Sequence, residues 1–193
     1  MKNFRVSRLK SFALAGAVAM CVSSAAMAAD MDTDYTPPPS EGGWYLRGDL
    51  GWSWLNWDGG ENDGAMTGGG GLGYAYGNGV RADMRVDYSG EYKSGTDLAP
   101  QDFATTTALM NAYYDFPVSD TASPYVGAGL GWGWAGDGKA GDDDGFAWSL
   151  MAGLNLRMTD SIMADVGYRY RNIGVSGDNL NDHAVLAGMR FSF

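Results

Sequence analysis

The chain has 193 residues, which is enough for one domain of ordinary size, and it carries 30 glycines, 13% aromatic residues and a net charge of -10. Phosphate recognition needs a basic face, so such an acidic composition disfavours nucleic-acid binding. The glycines and aromatic residues favour β-structure, and a mean hydropathy of -0.23 is compatible with strands that alternate apolar and polar side chains.

The N-terminus has the three parts of a secretory signal peptide. A basic segment that ends at Lys10 is followed by an apolar run over residues 11–22 and by the cleavage motif Ala26-Met27-Ala28. We predict a signal peptide over residues 1–28. An N-terminal membrane anchor is the alternative, but the apolar run is too short to span a bilayer comfortably. The basic residues of this segment are Lys2, Arg5, Arg8 and Lys10.

Cleavage changes both the cysteine content and the charge of the chain. Cys21 lies in the apolar run, and Met20 before it is a poor match to a lipoprotein site, so the mature chain is expected to have no cysteine and no disulfide. Four of the 13 basic residues and none of the 23 acidic residues are removed, which leaves a net charge of -14. We therefore expect partners that are cations, or surfaces bridged by divalent cations.

Residues 29–42 are acidic, contain Pro37-Pro38-Pro39 and predict an extended periplasmic linker. From Gly43 onward the hydrophobic period is two, which predicts strands and not helices. No later segment is apolar enough to form a transmembrane helix. The predicted fold is all-β, an up-and-down barrel of eight antiparallel strands over residues 43–193. The predicted strands are 44–54, 67–76, 80–88, 104–116, 124–134, 146–158, 162–170 and 183–193.

The connections between these strands alternate in length. Short turns are predicted at residues 77–79, 117–123 and 159–161, and longer polar loops occupy the alternate connections. Strands of about ten residues can cross a bilayer when tilted, and outer-membrane barrels have short periplasmic turns and long external loops. The pattern predicts a barrel in the bacterial outer membrane. The predicted loops are residues 56–65, 89–103, 136–145 and 174–181.

The position of the aromatic residues separates a membrane barrel from a soluble one. The apolar face has small and aliphatic residues such as Met84 and Val166 in the middle of each strand, with aromatic residues at both ends. Two aromatic belts around an aliphatic band match a bilayer, whereas a soluble core has no reason to sort aromatics by strand end. The external belt comprises Trp52, Trp54, Tyr88, Trp132, Trp134, Trp148, Tyr168 and Tyr170, and the periplasmic belt Trp44, Tyr74, Tyr76, Tyr114, Phe116, Phe191 and Phe193.

The other face of the strands carries charges of both signs and is predicted to line the lumen. Eight strands leave an interior just wide enough for side chains to fill, so we favour a structural salt-bridge network that closes the barrel. A narrow ion path is the alternative. The inward glycines of residues 127–133 ease the packing of arginines or leave water-filled gaps. The predicted network comprises Arg47, Asp49, Arg81, Asp83, Arg85, Asp87, Arg157, Asp165, Arg169, Arg171 and Arg190.

No motif predicts an enzyme, a cofactor or a metal centre. Catalysis by acyl transfer or hydrolysis needs a nucleophile beside a positioned base, and the single histidine, His183, has no such neighbourhood. Residues 142–144 are three aspartates without the spacing of a calcium loop, so we predict a solvated acidic loop, or weak divalent bridging to lipopolysaccharide phosphates. Gly68 to Gly71 is not a phosphate loop, because no Lys-Ser/Thr and no helix follow. A general solute pore needs more than eight strands.

Several segments in order resemble one protein family. They are GGWYLRGDLGW at residue 42, NAYYDF at 111, PYVGAGLGWGW at 124, DVGYRYRNIG at 165 and the terminal MRFSF. Together with the signal peptide they resemble the small porin-like outer-membrane β-barrel surface proteins of alphaproteobacteria, which share the architecture of the OmpA transmembrane domain. The resemblance covers nearly the whole mature chain, and no segment corresponds to the peptidoglycan-binding domain of OmpA.

The resemblance implies an abundant surface antigen that supports envelope integrity and contact with the host or environment. It implies that Phe191 and Phe193 form the signal read by the barrel-assembly machinery, and that outer-membrane lipid and lipopolysaccharide are partners. Some members bind haemin. His183 is predicted as a plain loop-edge histidine, and haemin or metal contact assisted by Tyr92 is the alternative.

Overall fold

Each strand of the chain hydrogen-bonds to its neighbours in sequence, and the last strand pairs with the first. The result is a closed barrel of eight antiparallel strands, which confirms the predicted fold. A computed structural model describes residues 42–56, 63–94, 101–136, 143–175 and 178–193. Within these ranges, no helix is long and apolar enough to cross a membrane. The predicted signal peptide, and the predicted linker up to residue 41, lie outside the described residues.

The strands are longer than the sequence pattern predicts, mainly at the end opposite the short turns. We call this end external, and we call the end that carries the short turns periplasmic. The strands are β1 Gly43–Asn56, β2 Asp63–Ala75, β3 Val80–Ser94, β4 Gln101–Asp115, β5 Ala122–Gly136, β6 Asp143–Arg157, β7 Ile162–Val175 and β8 Asp178–Ser192.

Much of what was predicted as external loop is therefore strand. The predicted loop 89–103 contains the ends of β3 and β4, which continue to pair through Lys93 and Asp102 after a β-bulge beyond Ser89. The prediction of long loops was wrong here because it followed the apolar alternation. Backbone pairing needs no apolar face once the strands leave the lipid, so polar residues continue the ladder.

The short turns follow their local sequence. Gly77 and Gly79 have positive φ angles of 77° and 84°, a conformation that favours glycine, and the backbone N–H of Tyr76 donates to the carbonyl of Val80 at 2.9 Å. At the turn after β6, the Thr159 hydroxyl accepts from the backbone N–H of Ile162 at 3.0 Å. Where β8 meets β1, the last hydrogen bond at the periplasmic end is donated by the Phe193 N–H to the Trp44 carbonyl at 3.0 Å.

Burial is inverted relative to a soluble protein. Leu50 and Met110 are each 66% exposed, whereas Arg81 is 2% exposed and Arg171 is fully buried. Alternate residues of every strand thus face either the lumen or the surroundings, with the polar set inside. An apolar exterior of this extent is stable only against lipid, because contact between so large an apolar surface and water is unfavourable.

The exterior keeps the two aromatic belts. Rings at the periplasmic ends contact one another edge-on, as Trp44 does with Tyr74 at 5.4 Å between centroids. Trp44 and Trp54 are ten residues apart on β1, which at about 3.3 Å per residue and a tilt of about 40° corresponds to about 25 Å along the barrel axis. That separation matches the height of a lipid-facing apolar band.

We expect Met84→Arg or Val166→Arg to lower the free energy of unfolding in lipid by about 2–4 kcal/mol, because each places a charge near the bilayer midplane. Both native side chains are exposed on the outer face, at 64% and 54%. Urea titration of the protein in lipid vesicles measures the change. Val118→Arg is the matched control, since Val118 is equally exposed but lies in the periplasmic turn after β4. Equal stability of all three variants would contradict the lipid-facing assignment.

Candidate functional site: the charged lumen

The lumen is lined by ionised side chains of both signs, and most of them are almost fully buried. Among the described residues, six arginines and five aspartates are buried, and Asp115 is half-buried near the periplasmic end. The two sets balance in charge, as burial of ions requires. This lumen network comprises Arg47, Arg81, Arg85, Arg169, Arg171, Arg190, Asp49, Asp83, Asp87, Asp115, Asp165 and Asp182.

Arg47 occupies the centre of the network. Its guanidinium lies 3.3 Å from a carboxylate oxygen of Asp49, 3.5 Å from one of Asp83 and 3.4 Å from one of Asp165. Its Nη1 also donates to the Tyr113 hydroxyl at 3.2 Å. These partners come from β1, β3, β4 and β7, so one arginine connects strands on several sides of the barrel.

The carboxylates are shared between arginines. Arg85 Nη2 donates to both oxygens of Asp49 at 2.8 Å, and its Nε donates to Asp87 at 2.9 Å. Asp87 also pairs with Arg169 Nη1 at 2.8 Å. Since Asp49 also meets Arg47, the chain of ion pairs is continuous from Arg47 to Arg169.

Hydroxyl groups continue the network toward the external end. Arg171 pairs with Asp182 and donates to Thr107 at 2.8 Å and to Ser89 at 3.0 Å. Ser89 in turn donates to the Thr67 hydroxyl at 2.7 Å. A guanidinium has five N–H donors, and neutral hydroxyls satisfy some of them without adding negative charge.

At the periplasmic end an arginine packs against two tyrosine rings that meet edge-on. The Arg81 guanidinium carbon lies 3.9 Å from the ring centroid of Tyr113 and 5.1 Å from that of Tyr125. Arg81 Nε also donates to Asp115 at 3.0 Å, and Arg190 lies 3.8 Å from the same carboxylate. Cation–π contact and an ion pair thus hold one guanidinium across this part of the lumen.

Inward glycines make room for the large side chains. A Cβ added at Gly167 would lie 2.2 Å from the Tyr125 hydroxyl, and one added at Gly129 would lie 2.0 Å from Asn111 Oδ1. On β5, the inward glycines lie against Tyr113, Asn111, Ile173 and the backbone of β4. These contacts favour close packing over gaps, but the groups that take the space are not the predicted arginines.

An apolar cluster also lies inside the barrel. It is fully or almost fully buried, and one of its contacts is the register pair Ala147 and Ile173, which lies toward the external end. It therefore adds apolar contacts to a lumen whose other buried side chains are mostly polar. Its members are Ala65, Leu109, Ala147, Ile173 and Leu180, with Ala135 packed against them.

Ten of the eleven residues predicted for the lumen network are members of it, and Arg157 is not. Arg157 has the inward parity, but it is the last residue of β6, is exposed, and donates to the Asp120 carbonyl at 3.2 Å in the neighbouring turn. Strand parity predicts the direction of a side chain but not whether the barrel still surrounds it. Phe191 and Phe193 are exposed on the outer face, and their role as an assembly signal stays a prediction.

Sequence reasoning missed Asp115 and Asp182 as partners in the network. Asp115 shares the inward parity of Asn111 and Tyr113, which was the available signal. Asp182 lies one residue before the predicted start of the last strand, which in the structure begins five residues earlier, at Asp178. Tyr45 was also missed, although its hydroxyl donates to Asp83 at 3.1 Å.

The remaining candidate positions lie outside the lumen. His183 is half-buried on the outer face, where it shares a hydrogen bond with the Tyr168 hydroxyl. Asp144 belongs to β6 and accepts from Trp132 Nε1 at 2.7 Å, which corrects its prediction as a loop residue. Asp142 and the side chain of Tyr92 lie outside what is described. In the described part of the chain, no group of three or more His, Cys, Asp or Glu residues could hold a metal ion.

The family model of the outer membrane protein beta-barrel domain matches residues 12–193. The chain belongs to this family. As an outer membrane barrel it lies in the bacterial outer membrane, with its apolar face toward lipid. The family consists of barrel proteins of the outer membrane, and the absence of enzymatic activity stays a prediction.

Relatives and solved structures agree with this family. An uncharacterised protein of Brucella abortus is 28% identical over an alignment of 265 positions, which covers 88% of this chain and 93% of that protein. The outer membrane protein PagN of Salmonella typhimurium is 27% identical over 130 residues, 54% of each chain. Neisserial surface protein A has the same fold, with a TM-score of 0.69, 23% identity and coverage of 78% of this chain and 97% of that one.

A second structural neighbour is Ail, the attachment invasion locus protein of Yersinia pestis. Its TM-score is 0.53 at 16% identity, with coverage of 77% of this chain and 99% of that one. At this level of identity the likeness concerns the barrel fold.

We expect Gly131→Ala to destabilise the outer membrane barrel by about 1–3 kcal/mol, because overpacking forces the backbone to move. Its Cβ would lie 2.0 Å from the Ala108 carbonyl oxygen of the neighbouring strand. Gly48→Ala is the matched control, since a Cβ added at Gly48 would lie 3.8 Å from its nearest neighbour, the Gly69 carbonyl oxygen. Urea unfolding in vesicles compares the two variants, and an equal effect would contradict the close packing of inward glycines.

Proposed function

We propose that this outer membrane barrel is a structural protein of the cell surface with a closed lumen. In this proposal it contributes to envelope integrity and presents its external hairpins to the host or environment. The lumen network carries the proposal, because the six arginines and six aspartates described inside the barrel balance in charge, which gives an ion little net attraction there.

Three layers support closure of the lumen. Arg81 lies against two tyrosine rings at the periplasmic end, Arg47 and Arg85 share Asp49 at the centre, and the apolar cluster lies toward the external end. An ion that crossed would have to break ion pairs in a low-dielectric interior and then pass the apolar side chains of this cluster. Both steps are costly, so a steady current is not expected.

One observation favours a narrow ion path as the second candidate. Within the described part of the lumen, Arg47 Nε and Arg85 Nη1 are buried and meet no protein acceptor. Buried donors of this kind are commonly satisfied by ordered water. Water beside these guanidinium groups would supply part of a path, and conductance decides between the two candidates.

The external surface supports contact with other surfaces. β3 and β4 keep pairing as far as Ser94 and Gln101, six residues beyond Tyr88 of the external aromatic belt. Two structural neighbours are called a surface protein and an attachment invasion locus protein, which is in line with such a role. The strongly acidic composition favours cationic partners, or lipopolysaccharide phosphates reached through divalent cations.

We also propose how the chain reaches the outer membrane, from signals in its first and last residues. Residues 1–28 would direct export and be removed, and the barrel-assembly machinery would read Phe191 and Phe193. The two phenyl groups support this, since they project outward from the final strand at 50% and 68% exposure. Such rings are accessible to a partner before β8 closes on β1.

We expect the refolded protein to give no steady current in a planar bilayer. The double variant Asp49→Ala/Arg85→Ala removes one charge of each sign and should create conducting steps, because it opens the lumen without changing its net charge. Single-channel recording measures both, and a heat-shift gel establishes that each sample is folded.

Val86→Ala is the control for the conductance measurement. Val86 neighbours Arg85 on β3 but is 55% exposed on the outer face, so its truncation should leave the lumen closed. A reproducible current from the unmodified protein would overturn the closed-lumen proposal and favour the ion path.

We expect no retention of the protein on immobilised heparin at physiological salt. Ail has been crystallised with a heparin analogue, but the present chain carries 23 acidic and 13 basic residues, and like charges repel. The charge-reversal variant Asp142→Lys/Asp143→Lys should be retained more strongly than the unmodified chain. Retention of the unmodified chain in the presence of a chelator would contradict an acidic surface that selects against polyanions.

A further inference from the structure

A cluster of polar and aromatic side chains lies on the outer face of β6, β7 and β8. The ring of Tyr170 lies 5.2 Å from that of Trp148 and 5.1 Å from that of His183, measured between centroids. The rings therefore form one connected surface. This outer patch comprises Trp148, Tyr168, Tyr170, Asn172, Asn181 and His183, all of them half-buried.

Hydrogen bonds fix the geometry of the outer patch. Asn181 Oδ1 accepts from the Tyr170 hydroxyl at 2.7 Å and from Asn172 Nδ2 at 2.9 Å. Tyr168 and His183 share a hydrogen bond between the hydroxyl and Nδ1. Because the carbonyl oxygen of Asn181 accepts both bonds, its amide hydrogens are left for another partner, as is Nε2 of His183.

The patch differs from the rest of the external aromatic belt. On β1 and β5 the belt is made of tryptophans that are exposed, such as Trp54 and Trp134. A single indole at the lipid boundary needs only its N–H satisfied. The patch instead presents a preassembled set of amide, imidazole and hydroxyl groups, which can donate to and accept from a polar group of a neighbouring lipid.

The patch lies at the boundary between lipid chains and headgroups. Val166 on β7 pairs with Ala187 in the middle of the apolar band. Tyr170 and His183 lie four residues further toward the external end, and Asn172 lies six residues further, which at about 3.3 Å per residue and a tilt of about 40° gives heights of about 10 and 15 Å. The amides are thus at the headgroup level of the external leaflet.

We propose that the outer patch binds a sugar ring of a glycolipid in the external leaflet. The proposal depends on the outer-membrane location and not on closure of the lumen. None of the six described residues of the patch is a lysine or an arginine. The patch therefore suits the neutral hydroxyls of a ligand better than a phosphate. Aromatic rings offer a surface to the C–H face of a sugar, and the amides donate to its hydroxyls.

Glycolipid binding is tested on the protein in detergent by native mass spectrometry. The probes are monophosphoryl lipid A and phosphatidylglycerol, which each carry one phosphate. Lipid A adds a glucosamine disaccharide and further acyl chains, so the patch variant below isolates the contribution of the sugar. We expect lipid A to bind at least tenfold more tightly. Tyr170→Phe/Asn181→Ala should weaken lipid A binding by about tenfold and leave phosphatidylglycerol binding unchanged, because it removes hydrogen bonds to and within the patch.

Thr106→Ala is the matched control, since Thr106 also faces outward near the external end, but on β4. A heat-shift gel establishes folding, and Asn172→Ala replaces the double variant if that variant does not fold. Equal affinity for the two lipids, or unchanged lipid A affinity in the folded patch variant, would overturn the proposal. Displacement of lipid A by free glucosamine phosphate would overturn the assignment to a lipid-borne sugar.

Discussion

The width of an eight-stranded lumen constrains every inward side chain of this protein. There is room for side chains but none for the bulk water that would otherwise solvate a guanidinium. Each buried arginine therefore needs a carboxylate or hydroxyl inside the barrel, as Arg85 has in Asp49 of β1 and Asp87 of its own strand. Each also needs space, and glycines such as Gly71, whose Cβ would meet Arg85, supply it. The paired charges and the inward glycines both follow from the narrow width of the lumen.

The same strands face lipid on their other side, so burial and polarity are separated by alternation alone. Met84 and Arg85 are neighbours in sequence, yet one is 64% exposed and the other 3%. A shift of one residue in register would exchange them, placing arginines in lipid and methionines in the lumen. The charged lumen thus fixes the register of the barrel as strongly as the apolar band does, which makes the network a structural element even without a transport role.

Specific chemistry is consequently expected on surfaces and not in the lumen. The external hairpins extend past the aromatic belt, and the outer patch on β6 to β8 brings Tyr170, His183 and Asn181 together at the lipid boundary. These positions can change without disturbing the lumen network, because they project away from it. Structural neighbours share the barrel fold at 23% and 16% identity, so the fold tolerates wide changes in sequence.

The sequence by itself determined the strand number, the two faces and most members of the lumen network, because a period of two assigns every residue to a face. Only the tertiary structure decided which residues meet. Pairings such as Arg47 with Asp165 join strands far apart in sequence, and they depend on stagger between strands that alternation does not encode. The same reason explains why Arg157 lies outside the network, and why the outer patch of Tyr170 and Asn181 was not foreseen: vertical level within a barrel is a property of the closed sheet.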